Sequence, residues 1–255
     1  MSEISAQREL FERIHDEYYA ATTDRFAEAY KAEFLLQPVL DMLGPDVRDV
    51  VELACGDGSG SLWLRNRRPE LRMSGVDISD RAAEAYRAKV GGPCRRLDLT
   101  KPLRPETQYD AAVVFCGIHH LVEDLDVAFE NIAGMLRPGG VLIMSEPSSD
   151  FFLEPLRKLW YRLDRRYFSH ETEHALSHDK LAAAYGRLFK PVQVHYCAGP
   201  GSYVLLHNWA LRMSPGVKAR LAPICTGFER GYAKLPARAA FSAFVAKWEK
   251  TGGAA

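Results

Sequence analysis

The sequence predicts an α/β fold: a mostly parallel sheet of seven strands covered by helices, closed by a C-terminal antiparallel hairpin, with helical N-terminal and cap elements added. Three observations carry that expectation. Short apolar runs alternate with helix-length stretches between residues 47 and 145. The runs "YDAAVVFC" and "GGVLIMS" lack clean polar alternation, as expected of strands buried on both faces. A glycine-rich turn, "ACGDGSG", sits directly behind the first run.

Residues 4–43 are rich in helix formers, and Phe26, Tyr30, Phe34 and Leu35 recur at the spacing of one helical face. Pro38 is expected to kink or end that helix. "GP" at 44 and 45 punctuates it, and "VRDVVEL" follows as the first strand, 47–53. Next come a helix from about 60 to 68, a strand at 72–76, a helix at 80–90, strands at 94–98 and 110–116, a helix at 126–136 and a strand at 141–145. Residues 150–190 exceed what a crossover helix requires and are expected to form a cap. "PVQVHYC" and "SYVLLHNW", joined by "AGPG", are expected to be the closing hairpin. Phe241, Phe244, Val245 and Trp248 take i, i+3, i+4, i+7 spacing, which predicts a final amphipathic helix. The whole reads as one domain over 1–255: N-terminal helices at 1–45, a core at 46–149, a cap at 150–190 and closing elements at 191–255.

The 33 Lys and Arg balance 33 Asp and Glu, so the total charge gives no reason to expect a nucleic-acid partner. Cys55, Cys94, Cys116, Cys197 and Cys225 are odd in number and form no C-x-x-C pair, which suits reduced thiols and a cytoplasmic location. The first residues carry charge where a signal peptide needs an apolar run, and no stretch approaches a membrane span. A soluble, unprocessed chain without stable membrane insertion is expected; oligomeric state is not legible.

Glu52, Asp77 and Asp98 fall at or beside the predicted carboxyl ends of successive strands, where an open α/β sheet forms its ligand crevice. Glycine turns behind a strand usually let main chain approach a phosphate, but Glu52 would oppose an anion there and suits a cation instead. A carboxylate closing the second strand suits paired ribose hydroxyls, and Asp98 suits an adenine amino group. A dinucleotide fingerprint fits less well, because its third glycine position holds Ser61.

Here the sequence resembles the class I S-adenosylmethionine-dependent methyltransferases, a Rossmann-like family. The matching pieces are "VVELACGDGSG", "GVDIS", "RLDLT", "YDAAVVFCGIHHL" and "MLRPGGVLIMSEP", in family order over about 100 residues. The resemblance implies S-adenosylmethionine as cofactor and S-adenosylhomocysteine as product. It implies that Glu52, Gly56 and Gly58 line the methionine end, that Asp77 takes the ribose, that Asp98 takes the adenine, and that the turn at Cys116, Gly117 and His119 faces the sulfonium. Ile78, Leu97 and Leu99 flank those acids as further cofactor candidates. Ala54 departs from the family, which usually has glycine there, and crowds the first close approach slightly.

The acceptor is expected to be a small molecule. His119 and His120 leave the fourth strand at the lip of the crevice, and Glu146 closes the fifth on the same side. These three are the catalytic candidates, with hydroxyl oxygen the preferred nucleophile and nitrogen or carbon open. Tyr19, Tyr30, Trp160, His170 and His174 are the substrate-contact candidates. Residues 170–174 spell "HETEH", a literal zinc motif that His178 extends on a helix, yet nothing around it resembles a zincin, and no metal is assigned.

Overall fold

β1 (Asp49–Leu53) lies between β2 (Arg72–Asp77) and β4 (Tyr109–Phe115), parallel to both. The computed structural model describes residues 23–104, 106–163, 174–206 and 213–252, with the backbone alone for 123 and 160–163. β3 (Cys94–Arg96) takes the outer edge of β2, and β5 (Leu136–Pro147) continues the parallel set beyond β4. β7 (Ala243–Lys250) runs antiparallel between β5 and β6 (Phe189–Cys197). The sheet order is therefore β3-β2-β1-β4-β5-β7-β6. Strand order reverses between β1 and β4, which places a crevice at their carboxyl ends.

Alternate strand residues feed two cores. Val50, Met73, Ala111, Val113, Ile143 and Val245 pack under α2 (Gln37–Met42), α3 (Ser59–Arg67) and α4 (Asp80–Val90). Val51, Ala112, Val114, Leu142, Met144, Phe244 and Trp248 pack under α5 (Leu125–Met135) and α7 (His178–Tyr185). Both faces are buried, which is why the strands read as unbroken apolar runs.

The predicted elements from β1 to β5 form with shifted ends. β1 starts at Asp49, β3 stops at Arg96, and β5 extends back to Leu136. Pro38 does not end its helix. α1 (Arg25–Lys31) passes through a π turn at Ala32–Leu36 into α2, so the widened turn lies just before the residue that has no N–H to give.

Two predictions near the C-terminus are corrected. Residues 243–250 are a strand and not a helix: Phe244, Ala246 and Trp248 face one core while Val245 faces the other, and an inner strand buried on both sides satisfies helical spacing by coincidence. The described part of "SYVLLHNW", residues 202–206, does not pair with β6; it lies in and directly after α8 (Gly201–Leu205), and β7 supplies the antiparallel partner. "AGPG" is a carboxylate-binding turn. The Gly199 and Gly201 N–H groups donate to Glu229 of α9 (Pro215–Tyr232), and a Cβ on Gly201 would lie 2.7 Å from Glu229 Oε2. Glycine there makes room for the acid.

Glu229 also accepts from Tyr30 Oη at 2.6 Å, so one buried carboxylate joins α1, α9 and the turn after β6. Tyr30, Phe34, Leu205 and Ala222 form the apolar side of this helical layer, and Lys218 pairs with Asp24 at the α1 N-cap. Tyr30→Phe is expected to destabilise the protein by about 1–3 kcal/mol, because it strips a donor from a buried carboxylate. Chemical denaturation measures it, and hydrogen exchange should quicken in α1 and α9 first.

In the cap, α6 (Glu154–Leu163) is separated from α7 by residues of which 164–173 lie outside the described set. Residues 174–177 are not helical, and His178 begins α7 buried, with its Nε2 accepting from Trp248 Nε1 at 3.1 Å. The expected continuous row of histidines therefore breaks before His178. Among the described residues no helix is long and apolar enough to cross a membrane.

Candidate active site

The chain leaves β1 through a loop that most side chains would not tolerate. Ala54, Gly56 and Gly58 take φ of 49°, 52° and 75°, all left-handed. A Cβ on Gly58 would lie 2.5 Å from both Tyr86 and Val90, so α4 packs against the bare glycine. The alanine at the family's usual glycine position bears its own strain. Its methyl rests against Gly117, where an added Cβ would lie 2.8 Å away.

Glu52 is buried behind this loop. Its Oε2 accepts from Ser61 N at 2.9 Å and from Ser61 Oγ, which in turn accepts from Tyr86 Oη at 2.9 Å. The acid thus caps α3 as well as facing the loop. Burial pushes its carboxyl up to about 8 despite the Ser61 bonds, with Asp57 and Asp77 adding repulsion. Because the folded value exceeds the ordinary 4.5, Glu52 contributes stability that is complete below the unfolded pKa and lost as pH rises through about 8. Glu52→Gln keeps an oxygen for Ser61 and removes the ionisation. Its melting temperature is expected to fall less than that of the wild type between about pH 6 and about pH 9, a difference that scanning calorimetry reads.

Asp77 closes β2 and is pinned from both sides. Its Oδ2 accepts from Gly56 N and its Oδ1 from Ser79 N, each at 2.9 Å, so the second acid orients the glycine loop. Ile78 follows it, half-buried. Asp98 Oδ1 accepts from Thr100 N at 2.9 Å and Thr100 Oγ1 at 2.6 Å. Leu97 N donates to Asp77 O at 2.9 Å, and Leu99 is buried in the core. Asn131 of α5 holds this stretch from below, donating to Leu99 O and Lys101 O at 2.8 Å each.

Across the crevice, β4 ends in a turn organised by one carboxylate. Glu146, fully buried, accepts from Gly117 N at 2.9 Å and Ile118 N at 2.8 Å through Oε1. Its Oε2 meets His119 Nδ1 at 2.8 Å. A carboxylate on Nδ1 fixes that nitrogen as the protonated one and leaves the lone pair on Nε2. His120 lies against it, ring centroids 3.9 Å apart, and Cys116 is exposed at φ 53°.

A family model described as a methyltransferase domain matches residues 51–142. The chain is 29% identical over 119 residues to a trans-aconitate 2-methyltransferase of an Enterobacter species, covering 46% of this chain and 45% of that relative. The chain thus spans about half the length of the curated relatives it matches. In fold it is similar to a Thermotoga maritima protein described as a possible histamine N-methyltransferase, with TM-score 0.62 and 18% identity over 96% of this chain and 99% of that one. It is also similar to the N-methyltransferase NodS of Bradyrhizobium japonicum in complex with S-adenosylhomocysteine, with TM-score 0.59 and 13% identity over 95% and 99% of the two chains.

The residues at this site fit a cationic adenosyl cofactor. Asp57 and Asp77 oppose ionisation of Glu52, so the loop region carries negative potential even while the Glu52 carboxyl keeps its proton. A positively charged ligand relieves it.

The structure brings together Glu52, Ala54, Gly56, Gly58 and Asp77 on one side, and Cys116, Gly117, His119 and Glu146 on the other, joined by the Ala54–Gly117 contact. Tyr30 belongs to a different constellation: its hydroxyl is bound to Glu229. His174 is described and exposed, whereas Tyr19, His170 and the Trp160 side chain lie outside the described residues. Sequence reasoning missed Ser61, Tyr86, Asn131 and Glu229. Each acts on a partner nine or more residues away, a dependence that no local pattern marks.

Proposed function

We propose that this chain transfers a methyl group from S-adenosylmethionine to a small-molecule acceptor, with hydroxyl oxygen the preferred nucleophile. The cofactor supplies a methyl carbon activated by cationic sulfur. In this reading Glu52 and the loop of Ala54, Gly56 and Gly58 receive the methionine end, Asp77 with Ile78 binds the ribose, and Asp98 with Leu97 and Leu99 takes the adenine. Cys116 and Gly117 flank the sulfonium. The remaining work of the protein is alignment, exclusion of water and handling of one proton.

That proton is assigned to His119. Its Nδ1–H donates to Glu146 Oε2, so the ring lone pair lies on Nε2, the nitrogen that takes a proton from the acceptor. The supporting observation is the contact between Gly117, on the turn that carries His119, and Ala54, in the cofactor loop. Base and loop share one wall. His120 is assigned to substrate contact beside it.

The Enterobacter relative is named for an acid substrate, and the two structural neighbours for nitrogen methylation. A carboxylate brings no proton to remove, so a carboxylate-held histidine favours a hydroxyl acceptor over an acid. We infer a soluble, cytoplasmic enzyme from an odd number of cysteines without a C-x-x-C pair.

The test is incubation with methyl-labelled S-adenosylmethionine and a panel of hydroxylated, carboxylic and amine metabolites. Label on a hydroxyl oxygen is the expected outcome. Label on amines or carboxylates alone overturns the acceptor assignment. Tight cofactor binding with no transfer to any class favours an adenosyl-binding protein that does not methylate.

A further inference from the structure

Two thiols meet beneath the glycine loop. The Cys55 and Cys94 sulfurs are 3.5 Å apart, and both residues are buried. Cys55 belongs to the loop itself, between the left-handed Ala54 and Gly56. Cys94 opens β3 and pairs with Gly75 of β2. The residue between them is glycine for a steric reason: a Cβ on Gly75 would lie 2.8 Å from one sulfur and 2.9 Å from the other. The missing side chain leaves the lane in which the thiols face each other.

The pair is unequal. Hydrogen bonding from Cys55 holds the Cys94 thiol below its ordinary range, assisted by Arg87, whose guanidinium donates to Cys94 O at 2.8 Å. The same contact, burial and the negative charge of Glu52 push the Cys55 thiol up. A thiol inclined to ionise therefore faces one that keeps its proton, the arrangement of an attacking and a resolving cysteine. β3 is only three residues long and lies at the sheet edge, so local opening there admits a small oxidant.

We propose that Cys55 and Cys94 are a redox modification site, whose disulfide reshapes the glycine loop and suppresses binding of the adenosyl cofactor. Hydrogen peroxide is the oxidant class. The Cys94 thiolate sulfur attacks one peroxide oxygen, the O–O bond breaks, and hydroxide leaves a sulfenic acid on Cys94. The Cys55 sulfur then attacks the Cys94 sulfur, the S–O bond breaks, and the departing hydroxyl takes the Cys55 proton as water. Two thiols are oxidised and one peroxide is reduced to water.

Bond formation brings the sulfurs from 3.5 Å to about 2.05 Å. Cys55 is held by its N–H to Val76 O at 3.1 Å, and its neighbour Gly56 by its N–H to Asp77 at 2.9 Å. Drawing Cys55 toward β3 displaces both anchors. The effect on binding rests on the reading of this loop as the cofactor site; the disulfide does not.

The experiment treats reduced full-length protein with hydrogen peroxide, blocks remaining thiols by alkylation, and maps peptides without reductant. Calorimetry with S-adenosylhomocysteine is run before oxidation, after it, and after dithiothreitol. A linked Cys55–Cys94 peptide is expected, with binding weakened about tenfold or more and restored by reductant. Cys94→Ser should bind when reduced and lose the response to oxidant; Cys94→Ala serves if the serine variant fails to fold. Both thiols alkylated after oxidation, or a linked peptide with unchanged binding, overturns the proposal. If the reduced protein binds no S-adenosylhomocysteine, the cofactor reading of the loop fails and the loop switch with it, while the peptide map still decides the disulfide.

Discussion

Gly58→Ala is expected to destabilise the protein by about 2–5 kcal/mol, the sum of a left-handed backbone penalty and an overpacked contact. Residue 58 holds φ 75°, and its new methyl would meet Tyr86 and Val90 at 2.5 Å. Neither neighbour can easily move: Tyr86 is fully buried with its hydroxyl on Ser61, and Val90 is buried in the same core. Gly91 and Gly139 separate the two penalties, since they hold φ of 71° and 74° with nothing within 4 Å of an added Cβ. Alanine at either should cost only the backbone part, about 1–2 kcal/mol. Equal losses at all three positions in denaturant titrations would show that the packing of α4 on the glycine loop is not a large term.

His119→Asn is expected to lower kcat by about two to four orders of magnitude on a hydroxyl acceptor, the usual worth of a positioned general base. Asparagine is chosen because its amide N–H can reach the Glu146 carboxylate as Nδ1–H does, at 2.8 Å in the native turn, while Nε2 is lost. Binding of S-adenosylhomocysteine should stay within a few-fold of native. The acidic limb of the kcat/KM profile, which reports protonation of the base, should disappear. A structural role would instead lower stability and leave the profile of the remaining activity unchanged. Activity undiminished on the best acceptor would remove His119 from proton transfer and shift the assignment to acceptors that arrive without a proton.

The core of the fold was legible because β1, β2, β4 and β5 are covered on both faces and announce themselves as apolar runs punctuated by glycine. The last strand was not. Phe244, Val245 and Trp248 are all completely buried, and a strand with no wet face loses the period of two that distinguishes it from a helix. "AGPG" carried the composition of a hairpin turn, but its glycines answer to Glu229, about 30 residues onward, a dependence that no local pattern reveals.

The candidate site divides the same way. Asp77 and the loop glycines were legible from spacing, because a positive φ and a strand-end carboxylate are local requirements. Glu146 and His119 were legible as neighbours from their positions at adjacent strand ends, and the structure puts Oε2 on His119 Nδ1. Asn131 reaches the 99–103 segment from α5, and Cys94 meets Cys55 only because Gly75 stands between them. Those relations belong to the packed sheet.

The most direct measurement is a calorimetric titration of the folded wild-type protein, run in parallel with S-adenosylhomocysteine and with NAD. Negative potential from Asp57 and Asp77 around the Glu52 carboxyl should accept the adenosyl amino acid with saturable heat and leave the pyrophosphate ligand unbound. Saturable binding of NAD, with no heat from S-adenosylhomocysteine, would contradict the account at its foundation.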